Sequence, residues 1–324
     1  MTVAGVLGFG SAGRRHAGLL RERGCEVLVS DPDASRAAAA AADGYSAVAE
    51  PELLDHASVV VIASPNHLHA TQLAAAVDAG SDVLVEKPLA VAPAPEVAAT
   101  LDRARSNGQI VGVGCNLRFV QGIEVAREHV TDGALGRVLR TSAEFGYDLR
   151  RWREGRDWRE AYSSRPEQGG GILLDAIHEF DYLYWLFGDV SRVACFAGSR
   201  SSLELQVEDV TGVLLDFASG VIGSISLDYA SGVYRRALDV VGEEGSLSWR
   251  WGRPAVVLEQ DGRVTEVPVS GAETMYERLM DDFLAAVAER RPPRTPGDEG
   301  LAVLRIVDAA RRFAFGSAGE KVGP

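Results

Sequence analysis

The chain is poor in cysteine and in positive charge, and it has no long apolar run. Its three cysteines, Cys25, Cys115 and Cys195, are widely spaced and form no C-x-x-C pair. That pattern excludes a disulfide scaffold and a cysteine zinc site, and fits buried thiols in a reducing compartment. Lysine and arginine number 33 against 46 acids, a net charge of -13. Such a surface repels nucleic acid and anionic membrane, so any acidic ligand must be met by a local basic patch. No apolar run approaches the roughly 20 residues a membrane span needs, and the N-terminus enters a strand without a basic leader. A cytoplasmic protein that binds neither nucleic acid nor membrane is expected.

What is present is the composition of a globular enzyme, 46% hydrophobic and 24% charged over 324 residues, enough for two domains. Val3 to Arg15, VAGVLGFGSAGRR, is an apolar strand running into Gly8, Gly10 and Gly13 in the order G-x-G-x-x-G. Gly8 permits the turn, Gly10 leaves room for a pyrophosphate, and Gly13 allows close packing of helix on strand. The amides of Ser11 and Ala12, opening the helix, then face the phosphates. Asp31 closes the next strand, CEVLVSD, at the distance where an acid takes the adenine ribose hydroxyls. Its charge favours NAD, whereas nearby Arg14 and Arg36 could pair with the extra phosphate of NADP. Asp31 could instead be the helix N-cap of the DPDASR turn.

Helices over 11–24, SRAAAAAAD, 53–56, 67–79 and 93–107 alternate with strands at ASVVVIAS, SDVLVEKP and QIVGVGC. This alternation predicts an α/β, doubly wound parallel sheet, a Rossmann domain over residues 1–117. Two loops leave strand ends, SPNHLH with Ser64, Asn66 and His69, and EKP with Glu86 and Lys87. By spacing alone Lys87 is either a solvated loop residue or a catalytic one.

GFGSAGRRH, SPNHLH, VLVEKPLA and GCNLRF, in this order and spacing, resemble the glucose-fructose oxidoreductase, inositol dehydrogenase and MocA family of NAD(P)-dependent oxidoreductases. Later segments, GGGILLDAIHEFDYLYWLFG, LLDFASGVIGSIS and DVVGEEGSL, fit the same family. The resemblance implies that Lys87 is the catalytic lysine, with Asp175 and His178 as its acid/base partners. It also implies that Gly8, Gly10, Ser11, Ala12, Gly13, Asp31, Ser64, Asn66, His69 and Glu86 meet the cofactor. Lys87, Asn116, Arg118, Trp158, Asp175 and His178 are then the expected substrate contacts. Many members space the acid and the histidine four apart; here Asp175-Ala-Ile-His178 is one residue shorter. That shifts the carboxylate about a third of a turn. With WREGRDWREAYS ahead of it, this form looks like members of surface polysaccharide and nonulosonic-acid pathways.

Residues 118–324 are expected to form an α+β substrate-binding domain with a largely antiparallel, open-faced sheet. Its strands are VLRTSAEFGYDL, RVACFAG, LELQVEDVTGVLLDF, GVIGSISLDYAS, RRALDVVG, GSLSWRW and AVVLEQ. Between Asp148 and Arg165, six arginines stand against four acids, interleaved with Trp152, Trp158 and Tyr162. This arm either grips an anionic group of the substrate or pairs internally. In GGGILLDAIHEFDYLYWLFG three glycines let a ligand approach, and Asp175, His178 and Asp181, three apart, share a helix face. His178 either moves a hydroxyl proton or is a core histidine bonded to Asp181. Those three residues are the sole candidate metal cluster, and without a second histidine no metal is expected. Tyr234, Arg235 and Arg236 are placed near the crevice. Helices over 273–290 and 299–315 end the fold, with a frayed tail after Gly316.

The expected activity is hydride transfer between NAD, with NADP not excluded, and a secondary alcohol or ketone of a sugar, inositol or sugar derivative, anionic or nucleotide-linked forms included. Redox-neutral cleavage of glycosides with NAD, and a non-catalytic dinucleotide sensor, are the alternatives. The open sheet face points to a homodimer or homotetramer.

Overall fold

Six strands, the first five each followed by a helix, build the first sheet. The computed structural model describes residues 2–152 and 157–316. β1 (Val3–Leu7) leads into α1 (Ser11–Glu22), β2 (Glu26–Ser30) into α2 (Ala34–Ala42), and the two-residue β3 (Ser46–Ala47) into α3 (Glu50–His56). β4 (Val59–Ile62) leads to α4 (His69–Asp78), β5 (Asp82–Val85) to α5 (Pro95–Ser106), and β6 (Val111–Val113) closes the set. All pairings are parallel, in the order β3-β2-β1-β4-β5-β6. VVVI and DVLV are buried at every position because helices cover both faces of a parallel sheet. The order reverses between β1 and β4, which puts a ligand crevice at the carboxyl ends of those two strands. β3 carries no apolar pattern and was absent from the sequence reading.

The chain divides into two units, Met1–Asn116 with Met275–Leu304, and Leu117–Thr274 with Arg305–Pro324. Met275–Leu304 therefore departs from the expected second domain of 118–324. The reason is packing: Met280 and Phe283 are buried in one core cluster with Val6, Val29 and Leu84. A Cβ at Gly112 would lie 3.2 Å from the Phe283 ring, so the missing side chain leaves room for the phenyl group.

The second unit opens with α6 (Gln121–Thr131), β7 (Val138–Gly146) and α7 (Leu149–Trp152). α8 (Ile172–Asp175) and α9 (Ile177–Phe187) follow, then β8 (Val190–Gly198), β9 (Val210–Phe217), β10 (Ile222–Asp228), β11 (Arg235–Gly242), β12 (Gly245–Arg250), β13 (Ala255–Gln260) and β14 (Arg263–Pro268). α10 (Met275–Glu289) and α11 (Gly297–Phe315) complete the described chain. The eight strands run β14-β13-β12-β11-β7-β10-β9-β8, antiparallel except for the β7–β10 pair. α9 covers one face, with Phe187 edge-on to Phe217 at 5.5 Å. The expected strand LELQVEDVTGVLLDF begins only at Val210, because Asp209 instead turns the chain. Its carboxylate accepts the amides of Arg200 (2.7 Å) and Ser201 (3.2 Å). The tail after Gly316, expected to fray, lies outside the described residues.

Candidate active site

In the first unit, the three glycines of the β1–α1 turn do different work. Gly8 has φ +91, and a Cβ there would meet the Ala63 carbonyl at 2.8 Å. A Cβ on Gly13 would lie 1.9 Å from the Gly8 carbonyl, so only glycine lets α1 close on the loop. Around Gly10 there is no atom within 4 Å of the Cβ position, so this glycine answers to no internal contact and leaves the loop surface open. α1 begins with no side-chain cap and no acid in its first turn, and its first backbone bond joins Arg14 N–H to the Gly10 carbonyl at 2.9 Å. The amides of Ser11, Ala12 and Gly13 precede that bond, at the positive end of the helix dipole. Open space at Gly10, an uncapped helix start and an acid at the end of β2 together fit a dinucleotide.

Asp31 accepts the Phe9 amide at 2.7 Å through one oxygen and the Asp33 amide at 2.9 Å through the other. Asp33, not Asp31, caps α2, through the Ser35 amide at 2.8 Å. The N-cap alternative for Asp31 is thereby removed. Arg36 approaches Asp31 to 3.7 Å, while Arg14 pairs with Asp43 at 3.2 Å.

The SPNHLH and EKP loops are tied to each other. The His69 ring nitrogens lie 2.7 Å from the Pro88 carbonyl and 2.9 Å from the Ser64 carbonyl, so the buried ring staples one loop to the other. Burial pushes its pKa down, against the two carbonyls and Glu86, which favour the cation. The Ser64 hydroxyl donates to Gln72 at 2.6 Å. Ser64 and His69, expected on the cofactor, thus spend their side chains positioning loops, because strand-end loops stacked this closely must satisfy buried polar groups among themselves. Asn66 is buried, and its side-chain nitrogen has no hydrogen-bond partner among the described residues. Asn116, also buried, bonds Tyr276.

Glu86 departs from the cofactor reading as well. It accepts His16 Nε2–H at 2.8 Å and the Lys87 amide at 3.2 Å. Burial pushes the Glu86 carboxyl up, but His16 and Lys87 outweigh it and hold the group below the usual carboxylate range. Lys87 stands at the end of β5 before Pro88, with a cis peptide between them.

In the second unit, GGGILLDAIHEFDYLYWLFG is not one helix. α8 ends at Asp175, Ala176 turns away from helical geometry (φ -95, ψ 34), and α9 begins at Ile177. Asp175 and His178 therefore do not share a continuous helix face as spacing implied. Two of the segment's three glycines, Gly170 and Gly171, serve internal packing. A Cβ at Gly170 would lie 2.6 Å from the Tyr162 carbonyl, and one at Gly171 (φ +105) 2.3 Å from the Glu208 carboxylate. Glu208 starts α8, its carbonyl taking the Ile172 amide at 3.0 Å and its carboxylate the Leu173 amide at 3.3 Å.

Asp175 is buried and ringed by hydroxyls. Tyr162 donates to one oxygen at 2.5 Å; Ser163 (2.7 Å) and Tyr229 (3.0 Å) donate to the other. Burial, with Asp175 alongside, pushes the Tyr229 phenol well above its usual value, so it remains a donor. Ser163 and Tyr229 were missed in sequence, and Tyr162 was noted only as an aromatic of the arginine arm; Ser163 lies in that arm and Tyr229 within LDYAS. His178 is buried near the start of α9.

Asp181 does not serve His178. Both its oxygens are held by Arg118, at 2.9 Å from Nε and 2.6 Å from Nη2. Arg118, expected to contact substrate, is fully buried and committed to this bidentate pair, because a guanidinium removed from water needs a matched carboxylate. The pairing also breaks up the one candidate metal cluster of the sequence. Arg236 is likewise spent inside, on Glu179 at 2.7 Å and over the Phe145 ring at 4.4 Å, and Arg235 pairs with Glu144 at 2.8 Å. In the arm, Arg150 pairs with Asp148 at 2.7 Å and Arg159 stacks on the half-buried Trp158 at 4.4 Å. Internal pairing prevails among the described arm residues; Arg153, Glu154, Gly155 and Arg156 lie outside them. One further signal was available in sequence: the chain holds only two lysines, Lys87 and Lys321.

A Rossmann sheet with an open glycine loop in one unit, and a caged carboxylate and a histidine in the other, define a dinucleotide-dependent oxidoreductase. The family model for the oxidoreductase family with NAD-binding Rossmann fold matches residues 3–115, and that for the GFO/IDH/MocA C-terminal domain matches residues 123–248. The chain belongs to this family of NAD-binding oxidoreductases. It is 29% identical over 337 residues to 1,5-anhydro-D-fructose reductase of Ensifer adhaerens, covering 98% of this chain and 97% of that one. It is 27% identical over 330 residues to inositol 2-dehydrogenase of Rhizobium meliloti, covering 96% and 97%. Among solved structures, levoglucosan dehydrogenase in complex with NADH has the same fold, with a TM-score of 0.84, 23% identity and coverage of 97% and 96%. No helix among the described residues is long and apolar enough to cross a membrane.

Proposed function

We propose that this chain transfers a hydride between NAD and a secondary alcohol or ketone of a sugar, an inositol or a sugar derivative. The observation that carries the reading is Lys87, the one lysine among the described residues, standing at a strand end by the crevice with its amide fixed by Glu86. When bound, NAD supplies the hydride acceptor in oxidation and the donor in reduction. Lys87 takes the hydroxyl proton in oxidation and returns it in reduction; as ammonium it stabilises charge growing on the oxygen. His178 is a second group able to exchange protons near neutrality. Asp175, held by three donors, orients its surroundings rather than shuttling protons. Trp158 offers an aromatic face to a sugar ring. Arg36 beside Asp31 keeps NADP within reach of the same loop.

The test is NADH absorbance with purified protein, NAD or NADP, and a panel of inositols, aldoses, uronic acids and nucleotide-linked sugars. Lys87→Ala is expected to lose about 10²- to 10⁴-fold in turnover while still binding NAD. Retained turnover would overturn the assignment, and sugar release without NADH accumulation would move it to redox-neutral cleavage.

The same reading includes pairing of two or more copies through the second sheet. Phe196 is 71% exposed, Leu214 57% and Ile222 48%, on one face of β8, β9 and β10. Leu214→Glu is expected to lower the mass measured by light scattering, and an unchanged mass would exclude this face. Three free cysteines support a reducing, cytoplasmic setting.

A further inference from the structure

The lysine assigned above is reached from the nucleotide-loop helix by a buried chain of two side chains. His16 lies on α1, three residues past Gly13, and is fully buried. Its Nε2 is 2.8 Å from Glu86 Oε1, and its Nδ1 has no hydrogen-bond partner among the described residues. A carboxylate oxygen can only accept, so Nε2 carries a proton and donates it to Glu86. Glu86 Oε2 takes the Lys87 amide at 3.2 Å. Room for the carboxylate comes from Gly114, where a Cβ would lie 3.0 Å from that same oxygen. The Glu86 amide bonds the Ile62 carbonyl at 2.8 Å, so the residue is held at both ends.

We propose that His16 is a positioning residue for the reaction, acting through Glu86: it fixes the carboxylate that holds the Lys87 main chain and keeps one negative charge beside the Lys87 ammonium. The proposal rests on Lys87 as the proton-transfer group. The titratable groups facing Glu86 are His16 from α1, Lys87 from its own loop, His69 from α4 and Tyr276 from α10. Arg15 lies over the Tyr276 ring at 4.0 Å. His16 and the Lys87 amide both donate to the carboxylate, and of the two His16 can be replaced without touching the lysine.

A nearby opposite charge favours the charged form of a lysine, and its loss favours the neutral form. The measurement uses protein labelled with [6-13C]lysine, which gives two signals, one of them assigned by Lys321→Arg. Titration of the Lys87 signal needs neither substrate nor cofactor. Glu86→Gln, isosteric and uncharged, is expected to lower the Lys87 midpoint by about one pH unit. His16→Leu removes the donor, so the buried Glu86 loses support for its charge, and the midpoint should fall in the same direction by less. His16→Gln, whose amide can donate from the same region, is expected to recover most of that difference. Where a substrate is in hand, kcat falls in His16→Leu and its pH profile moves with the NMR midpoint, while NAD affinity is retained. A Lys87 midpoint unchanged in Glu86→Gln overturns the proposal even if His16→Leu fails to fold. A full turnover in Lys87→Ala overturns the reading beneath it, and the two failures are separately visible.

Discussion

Asp175→Ala takes away the acceptor now shared by three hydroxyls, those of the buried Ser163 and Tyr229 and the half-buried Tyr162. Hydrogen bonds to a charged group are worth about 1.5–3 kcal/mol each, and an orphaned buried donor costs about 1–3 kcal/mol. The hydroxyls can rotate toward one another, so the whole change is set at about 3–5 kcal/mol. Asp175→Asn has the same shape. Its oxygen can take Ser163 and Tyr229 while its nitrogen donates to the Tyr162 oxygen, so the cost falls to about 1 kcal/mol. At about 2 °C per kcal/mol for a chain of this size, Tm should drop by about 6–10 °C in the alanine variant and about 2 °C in the asparagine variant. Calorimetry with matched denaturant curves reads both. An alanine variant within about 1 °C of the parent, or an asparagine variant as unstable as the alanine one, would refute the cage. Turnover of Asp175→Asn then isolates the charge, since the scaffold stays while the negative charge goes.

The glycine loop separates a folding role from a binding one. Gly13→Ala drives a methyl into the Gly8 carbonyl and should destabilise the first unit, whereas Gly10→Ala meets nothing within 4 Å. Gly10→Ala is therefore expected to keep Tm and weaken NAD binding, measured by calorimetric titration; loss of stability equal to that of Gly13→Ala would contradict the assignment. Burial pushes the Cys195 thiol from 9.0 up to about 11. The unfolded chain ionises first, so stability present below pH 9.0 is lost as pH rises toward about 11. Cys195→Ala should flatten that alkaline loss in denaturant titrations, and an identical slope in the variant would exclude it. With Cys115 and Cys195 buried, a thiol reagent should meet Cys25 first in the native protein, and all three only after unfolding.

Sequence by itself determined five of the six strands of the first sheet, because their signals are local, whereas the two-residue β3 carries none. A run such as VVVI reports its own burial on both faces, and Gly8, Gly10 and Gly13 report the turn they make. The position of the EKP lysine at a strand end was legible in the same way, but its role came only from the family resemblance, since spacing alone left it either a solvated loop residue or a catalytic one. Partner choice was not legible, because it depends on which residues distant in sequence become close neighbours in the fold. Asp181 lies three residues from His178 yet belongs to Arg118, 63 residues away. Asp175 belongs to Tyr162, Ser163 and Tyr229, and Glu86 to His16, 70 residues earlier. Only tertiary packing decided these pairs, and it decided them by desolvation. A buried polar group takes whatever complementary partner the fold delivers within about 3 Å, and helical spacing alone cannot name that partner. The placement of Met275–Leu304 in the first unit follows the same rule for apolar groups. Met280 and Phe283 make α10 amphipathic in any sequence reading, but which core they fill was settled when Gly112 left room for a ring.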